Sequence, residues 1–146
     1  MPYKGKFKPK KPGKYMGNPT NITYRSLWER RFMVFCDETD SVVAWGSEEV
    51  VIPYRSPIDN RMHRYFVDFI VKYKNKRGFT ETRIIEVKPK KQCIAPKKPS
   101  KITKSFVNEV KAYGINTAKW RAAEEYAENR GWKFQILTEK ELFTGE

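Results

Sequence analysis

A chain of 146 residues with 39% hydrophobic residues, four Trp, eight Tyr and nine Phe is long enough to build one domain around a packed core. Its 30 Lys and Arg against 17 Asp and Glu leave a net charge of +13, which draws polyanions, nucleic acid first and an anionic membrane surface second. No apolar run approaches a spanning helix and no signal sequence opens the chain, so a soluble, non-secreted protein with no membrane partner is expected. Cys36 and Cys93 lie far apart without CxxC or His spacing, which argues against zinc and disulfides and suits a reducing cytosol. The single histidine, His63, excludes chemistry that needs two imidazoles and reads as a surface or strand-edge residue.

Residues 1–22 carry Lys4, Lys6, Lys8, Lys10, Lys11 and Lys14 with four prolines and no acid, a composition expected to form a basic, flexible arm ahead of a domain spanning 23–146. Leu27, Trp28, Phe32, Phe35 and Cys36 recur at three- and four-residue steps, predicting an amphipathic helix over 24–38 with a cap near Thr23. A capping box Ser26-Leu27-Trp28-Glu29 would instead start it two or three residues later. Short strands follow at 41–45 and 50–54, divided by Gly46-Ser47 and closed by Pro53 and the turn-prone Ser56-Pro57-Ile58-Asp59-Asn60. Residues 62–73 and 79–88, joined by Asn75-Lys76-Arg77-Gly78, read as one antiparallel hairpin. Residues 88–104 hold seven lysines and three prolines and read as a second basic, extended segment. Helices are predicted over 102–113 and 117–130, the latter ending at a left-handed Gly131, then a strand at 132–137 and a short helix at 138–143. The order implies an α/β fold, a mixed sheet flanked by helices.

Within Ile84-Ile85-Glu86-Val87-Lys88, strand alternation puts Glu86 and Lys88 on one face, with Ile85 and Val87 on the other. Asp68 is a lone acid in Phe66-Val67-Asp68-Phe69-Ile70, and hairpin pairing can bring it beside Glu86. Two carboxylates and an ammonium suit phosphodiester hydrolysis, because Mg²⁺ or Mn²⁺ prefers oxygen ligands and needs few of them when water and phosphate complete its shell. Lys88 would orient or help deprotonate the attacking water, or neutralise the phosphate; the residues leave both open. Taken alone, an acid and a lysine two apart on a strand are more often an exposed ion pair. The lone acid in the preceding strand and the basic chain around it raise the catalytic reading. Glu29 is a further acid if the first helix packs over the site, with a capping role as its alternative. Glu48 reads as a solvated turn residue, and Trp28, Trp45, Trp120 and Trp132 as core. Lys90, Lys91, Lys97, Lys98, Lys101 and Lys104, beside the proposed site, are candidate contacts to a DNA backbone, or else a solvated charge run.

Asp68 and Glu86-Val87-Lys88 behind a helix bearing Glu29 resemble the PD-(D/E)xK nuclease superfamily. Over nearly the whole length the chain resembles the head-completion nucleases of T-even-type tailed bacteriophages. The strings that carry this are Ile22-Thr23-Tyr24-Arg25-Ser26, Ala44-Trp45-Gly46-Ser47-Glu48, Val51-Ile52-Pro53-Tyr54, Arg64-Tyr65-Phe66-Val67-Asp68, Ile85-Glu86-Val87-Lys88-Pro89-Lys90-Lys91 and Asn116-Thr117-Ala118-Lys119-Trp120. More distantly it is similar to transposon endonucleases that add a helix Glu to the strand acids, which implies Glu29 as a fourth site residue. Val67 stands where the superfamily motif has proline. The resemblance implies a restriction-endonuclease-like fold and a metal-dependent endo- and exonuclease acting on double-stranded DNA. It further implies action in the virion and host cytoplasm beside portal-vertex or neck proteins, with packaged DNA trimmed before tails join. Two readings compete with it: a non-catalytic connector protein that binds DNA or the portal vertex, and an RNA-associated basic protein.

Overall fold

The computed structural model describes residues 4–143. In chain order the elements are β1 (Gly5–Phe7), β2 (Ile22–Tyr24), α1 (Leu27–Glu38), β3 (Val42–Ser47), β4 (Val51–Arg55), β5 (Met62–Phe66), β6 (Phe69–Lys74), β7 (Thr80–Val87), α2 (Lys104–Asn129), β8 (Lys133–Leu137) and α3 (Glu139–Phe143). A four-stranded sheet in the order β3-β6-β7-β8 forms the centre; its first two pairings are antiparallel and β7-β8 is parallel. Alternation along β6 and β7 divides the core in two. Phe69, Val71, Ile85 and Val87 join α1, Leu142 and the N-terminal segment on one face, while Ile70 and Ile84 join α2 on the other. This is a single mixed α/β domain of restriction-endonuclease-like arrangement, as the resemblance implies.

The structure corrects the expected elements in four ways. First, residues 62–73 are not one strand. The chain leaves β5 at Phe66 and enters β6 at Phe69, with Val67 N–H donating to Val50 O across the ribbon and Glu48 N–H donating to Asp68 O. β4 and β5 pair only with each other, as a two-stranded ribbon outside the central sheet. Second, the break expected between residues 113 and 117 does not occur, and α2 runs for 26 residues through Gly114. Its C-terminus does have the predicted left-handed Gly131, at φ +72°. Third, α1 begins at Leu27 with Ser26 as cap, not near Thr23.

Fourth, of the segment expected to be a flexible arm, the described residues 4–22 are folded onto the domain. β1 pairs with β2, a 3₁₀ turn spans Pro12–Lys14, and Phe7, Tyr15 and Ile22 are buried. Phe7 and Tyr15 meet fully buried Trp45 edge-on, at ring-centroid distances of 5.8 and 4.7 Å. Asp37, near the end of α1, accepts the backbone N–H groups of Lys10 and Lys11 at 2.8 and 3.0 Å. Lys14 donates to the carbonyls of Asp37 and Thr39, satisfying the end of the helix. Composition missed these three aromatic and aliphatic anchors because they are spaced too irregularly to form a periodic stripe.

Candidate active site

The site forms where β6 begins and β7 ends. Phe69 pairs with Ile85, so Asp68 comes opposite Glu86 one step beyond the last paired residue. Asp68 Oδ2 accepts the Val87 N–H at 2.8 Å, which ties the carboxylate to the neighbouring strand. Glu86 is buried on the α2 face, as its alternation with Ile84 requires. Tyr65, also buried, donates its hydroxyl to Glu86 Oε1 at 2.6 Å. Lys88 Nζ lies 3.7 Å from Glu86 Oε2. The expected convergence of two acids and one ammonium is present in the geometry, but Asp68 sits at the crossover before β6 and not inside a strand as expected.

Electrostatics mark the cluster as under-compensated. Burial, then the charge of Glu86, pushes the Asp68 carboxyl up to about 8, against which the Val87 N–H and Lys88 work only in part. Burial also raises Glu86, opposed by the Tyr65 hydroxyl, Lys88 and Lys119. Two partly dehydrated carboxylates that repel each other, with oxygen the only donor atom they offer, fit a hard divalent cation. Among the described residues no three Asp, Glu, His or Cys side chains group closely enough to enclose an ion by themselves.

Glu29 occupies the third position of α1. Ser26 Oγ accepts the Glu29 N–H at 3.1 Å, and Glu29 Oε1 reaches back to the Arg25 N–H at 3.0 Å. The capping alternative is thus realised, with the return bond one residue earlier than in the usual box. Capping does not remove Glu29 from the site: burial raises its carboxyl, and Glu48, Arg25 and Lys88 all act on it, while Glu29 in turn raises Asp68 and Glu86. The return bond to the Arg25 N–H uses Oε1 alone.

Sequence reasoning passed over four neighbours. Glu48 is not a solvated turn residue; it holds φ +55°, donates its N–H to Asp68 O, and pairs with Arg25. Lys119, on α2, lies over the rings of Tyr54 and Tyr65 at 5.8 and 5.4 Å. Arg25, Glu48, Tyr65 and Lys119 all fall inside the strings that carried the family resemblance, which was the available signal. Lys90, Lys91, Lys97, Lys98, Lys101 and Lys104 are exposed on the segment that leads from Lys88 into α2. His63 is exposed and pairs with Asp59, and both cysteines are free. A cavity of about 470 Å³ beneath α1 and α3, lined by Arg31, Phe35, Tyr73 and Arg83 among others, contains none of the site residues. No helix among the described residues is long and apolar enough to cross a membrane.

Residues 39–139 match the family described as TnsA-like endonuclease N terminal, and the chain belongs to that family. It is also 44% identical to the head completion nuclease of Enterobacteria phage T4, in a match covering 97% of this chain and 95% of that protein.

Proposed function

We propose that this chain is a divalent-cation-dependent DNA nuclease that acts in the completion of phage heads, trimming packaged DNA before tails join. The observation that carries the reading is the pair of buried Glu86 on β7 and half-buried Asp68, which is tied to β7 through the Val87 N–H just before β6 begins, with Lys88 3.7 Å from Glu86 Oε2. Membership of an endonuclease family and the name of the phage T4 relative support the reaction class and the setting. Asp68 and Glu86 would hold Mg²⁺ or Mn²⁺, with Glu29 a third acid beside them. The ion, when bound, supplies a more acidic water and neutralises charge on the phosphorane-like transition state. The Val87 N–H keeps the Asp68 carboxylate turned toward β7, and the Tyr65 hydroxyl holds Glu86 by one oxygen. Lys88, on the same face as Glu86, is the cation available to a non-bridging phosphate oxygen or to the attacking water. The lysines from Lys90 to Lys104 extend the positive surface along the substrate backbone. Such a protein would work in the host cytoplasm and the virion, on double-stranded DNA at or near the portal vertex.

The test is cleavage of linear and supercoiled duplex by purified protein with Mg²⁺, with Mn²⁺ and with EDTA. Cleavage is expected with either metal and none with EDTA. Asp68→Asn and Lys88→Ala should each lower the rate by roughly 10²-fold or more, the scale of removing one charge-stabilising group. Glu29→Gln keeps an oxygen for the cap, so it should lose activity with little change in melting temperature. A wild-type protein that binds but never cuts would sink the catalytic reading. The connector reading would then predict normal head assembly with Asp68→Ala.

A further inference from the structure

The β4-β5 ribbon is not needed to complete the central sheet, yet it joins the site directly, since β5 ends two residues before Asp68. Its two faces differ. Ile52, Tyr54 and Tyr65 point inward against α2, and the Tyr65 hydroxyl reaches Glu86, so the ribbon is fastened to the site it adjoins. The outward positions are Val51, Pro53 and Arg55 on β4 and Met62, Arg64 and Phe66 on β5, all exposed. Across the register Val51 faces Phe66, Pro53 faces Arg64 and Arg55 faces Met62. No acid lies among the six, and the Arg64 guanidinium sits 5.6 Å from the Phe66 ring centroid. Asp59, in the loop at the tip, is engaged with His63 at 2.8 Å.

We infer that the outer face of this ribbon is a duplex-binding surface that carries the DNA away from the active site on one side. A face that mixes arginine with flat apolar groups and has no acid is complementary to a nucleic-acid backbone, where guanidinium meets phosphate and the apolar groups cover sugar or base edges. Two-stranded ribbons have dimensions that suit a DNA groove. At about 3.3 Å per residue, Arg64 lies about 13 Å along the chain from Asp68, and Arg55, opposite Met62, about 20 Å. With about 3.4 Å between nucleotides on one strand, the two arginines contact phosphates about four and six nucleotides from the cut. Phe66 and Val51 lie against the nucleotides nearest the cut. The segment Lys90–Lys104 and the ribbon would then hold the duplex on separate flanks of the site.

The inference rests on the nuclease reading for its substrate, but its test needs no cleavage. Binding of a fluorescent 30-base-pair duplex is measured in EDTA across 50 to 200 mM KCl for wild type, Arg55→Ala, Arg64→Ala, Phe66→Ser and, as a charge control, Arg77→Ala in the turn between β6 and β7. Each ribbon arginine should contribute about 0.9 to the slope of log affinity against log salt, so each removal lowers the slope by that amount and weakens binding several-fold. Phe66→Ser should weaken binding several-fold with the slope unchanged, and Arg77→Ala should change neither. Melting curves for all four variants verify folding, since every substituted side chain is exposed. Ribbon variants that behave like Arg77→Ala overturn the proposal and leave the face to a protein partner. If the wild type cuts no DNA but the ribbon variants still lose binding, the nuclease reading fails while the ribbon surface stands.

Discussion

Burial beside Glu86 raises the Asp68 carboxyl toward 8, far above its value of 3.8 in an unfolded chain, and this ties the site to stability. Between those values the folded state binds the proton that the unfolded state has released. The stabilisation from protonated Asp68 is therefore complete below about pH 4 and is lost as pH rises through about 8. Metal-free protein should melt at lower temperature at pH 9 than at pH 5, and Asp68→Asn should flatten that slope, raising the melting temperature by a few degrees at alkaline pH. Calorimetry in EDTA across pH 4 to 9 tests this. An unchanged pH slope in Asp68→Asn would show that the carboxyl is not the group responsible. At this scale the sequence singled out its candidates by local pattern: Glu86 and Lys88 share a face by alternation, and Asp68 is a lone acid in an apolar run. Glu48 could not be singled out so, because its importance lies in a backbone bond to Asp68 O and a partner 23 residues away.

Among the elements, α2 departs furthest from local expectation. The two helices predicted over 102–113 and 117–130 are one, and the helix continues through 114–116, with Thr117 Oγ1 donating to Tyr113 O at 2.7 Å. Ile115, Ala118, Ala122 and Tyr126 pack against the ribbon and the sheet on one side, and burial of that row outweighs a helix penalty of about 1 kcal/mol for glycine. A Cβ at Gly114 would meet Pro57 Cγ at 3.7 Å, an ordinary van der Waals distance. Gly114→Ala should therefore stabilise the protein by about 0.5–1 kcal/mol, read from chemical denaturation, and a destabilised variant would mean that the helix needs flexibility here. The hairpin through Asn75–Gly78 was legible because its turn chemistry is local: Asn75 Oδ1 accepts the N–H groups of Arg77 and Phe79, and Gly78 has φ +83°. The split of residues 62–73 into two strands was not legible, since nothing local in Phe66-Val67-Asp68 distinguishes a crossover from a continuous strand.

For the whole molecule, the N-terminal segment changes the account most. Lysine and proline content describes its exposed side chains, while Phe7, Tyr15 and Ile22 make the contacts that close the core over Trp45. Losing a buried aromatic typically costs about 3–5 kcal/mol, and a domain of this kind has roughly 5–15 kcal/mol in total. Deletion of residues 1–21 should therefore abolish cooperative melting or make the protein insoluble. A truncated protein that melts within a few degrees of the full chain would refute this. Asp37→Ala, which strips the acceptor from the Lys10 and Lys11 N–H groups, should loosen the same segment, seen as faster amide exchange there.

What the sequence carried by itself was the family and the fold class, through the family strings and the α/β alternation, together with the basic surplus and the candidate acids and lysine, all of which are local in the chain or summed over it. What only the tertiary structure decided was which groups meet. Asp68 at a strand crossover, Tyr65 donating to Glu86 from a ribbon outside the sheet, Glu29 capping a helix while acting on the site, and the folded N-terminal segment all depend on contacts between distant residues. Such contacts leave no periodic trace, because each is a single pairing that the rest of the fold brings within reach.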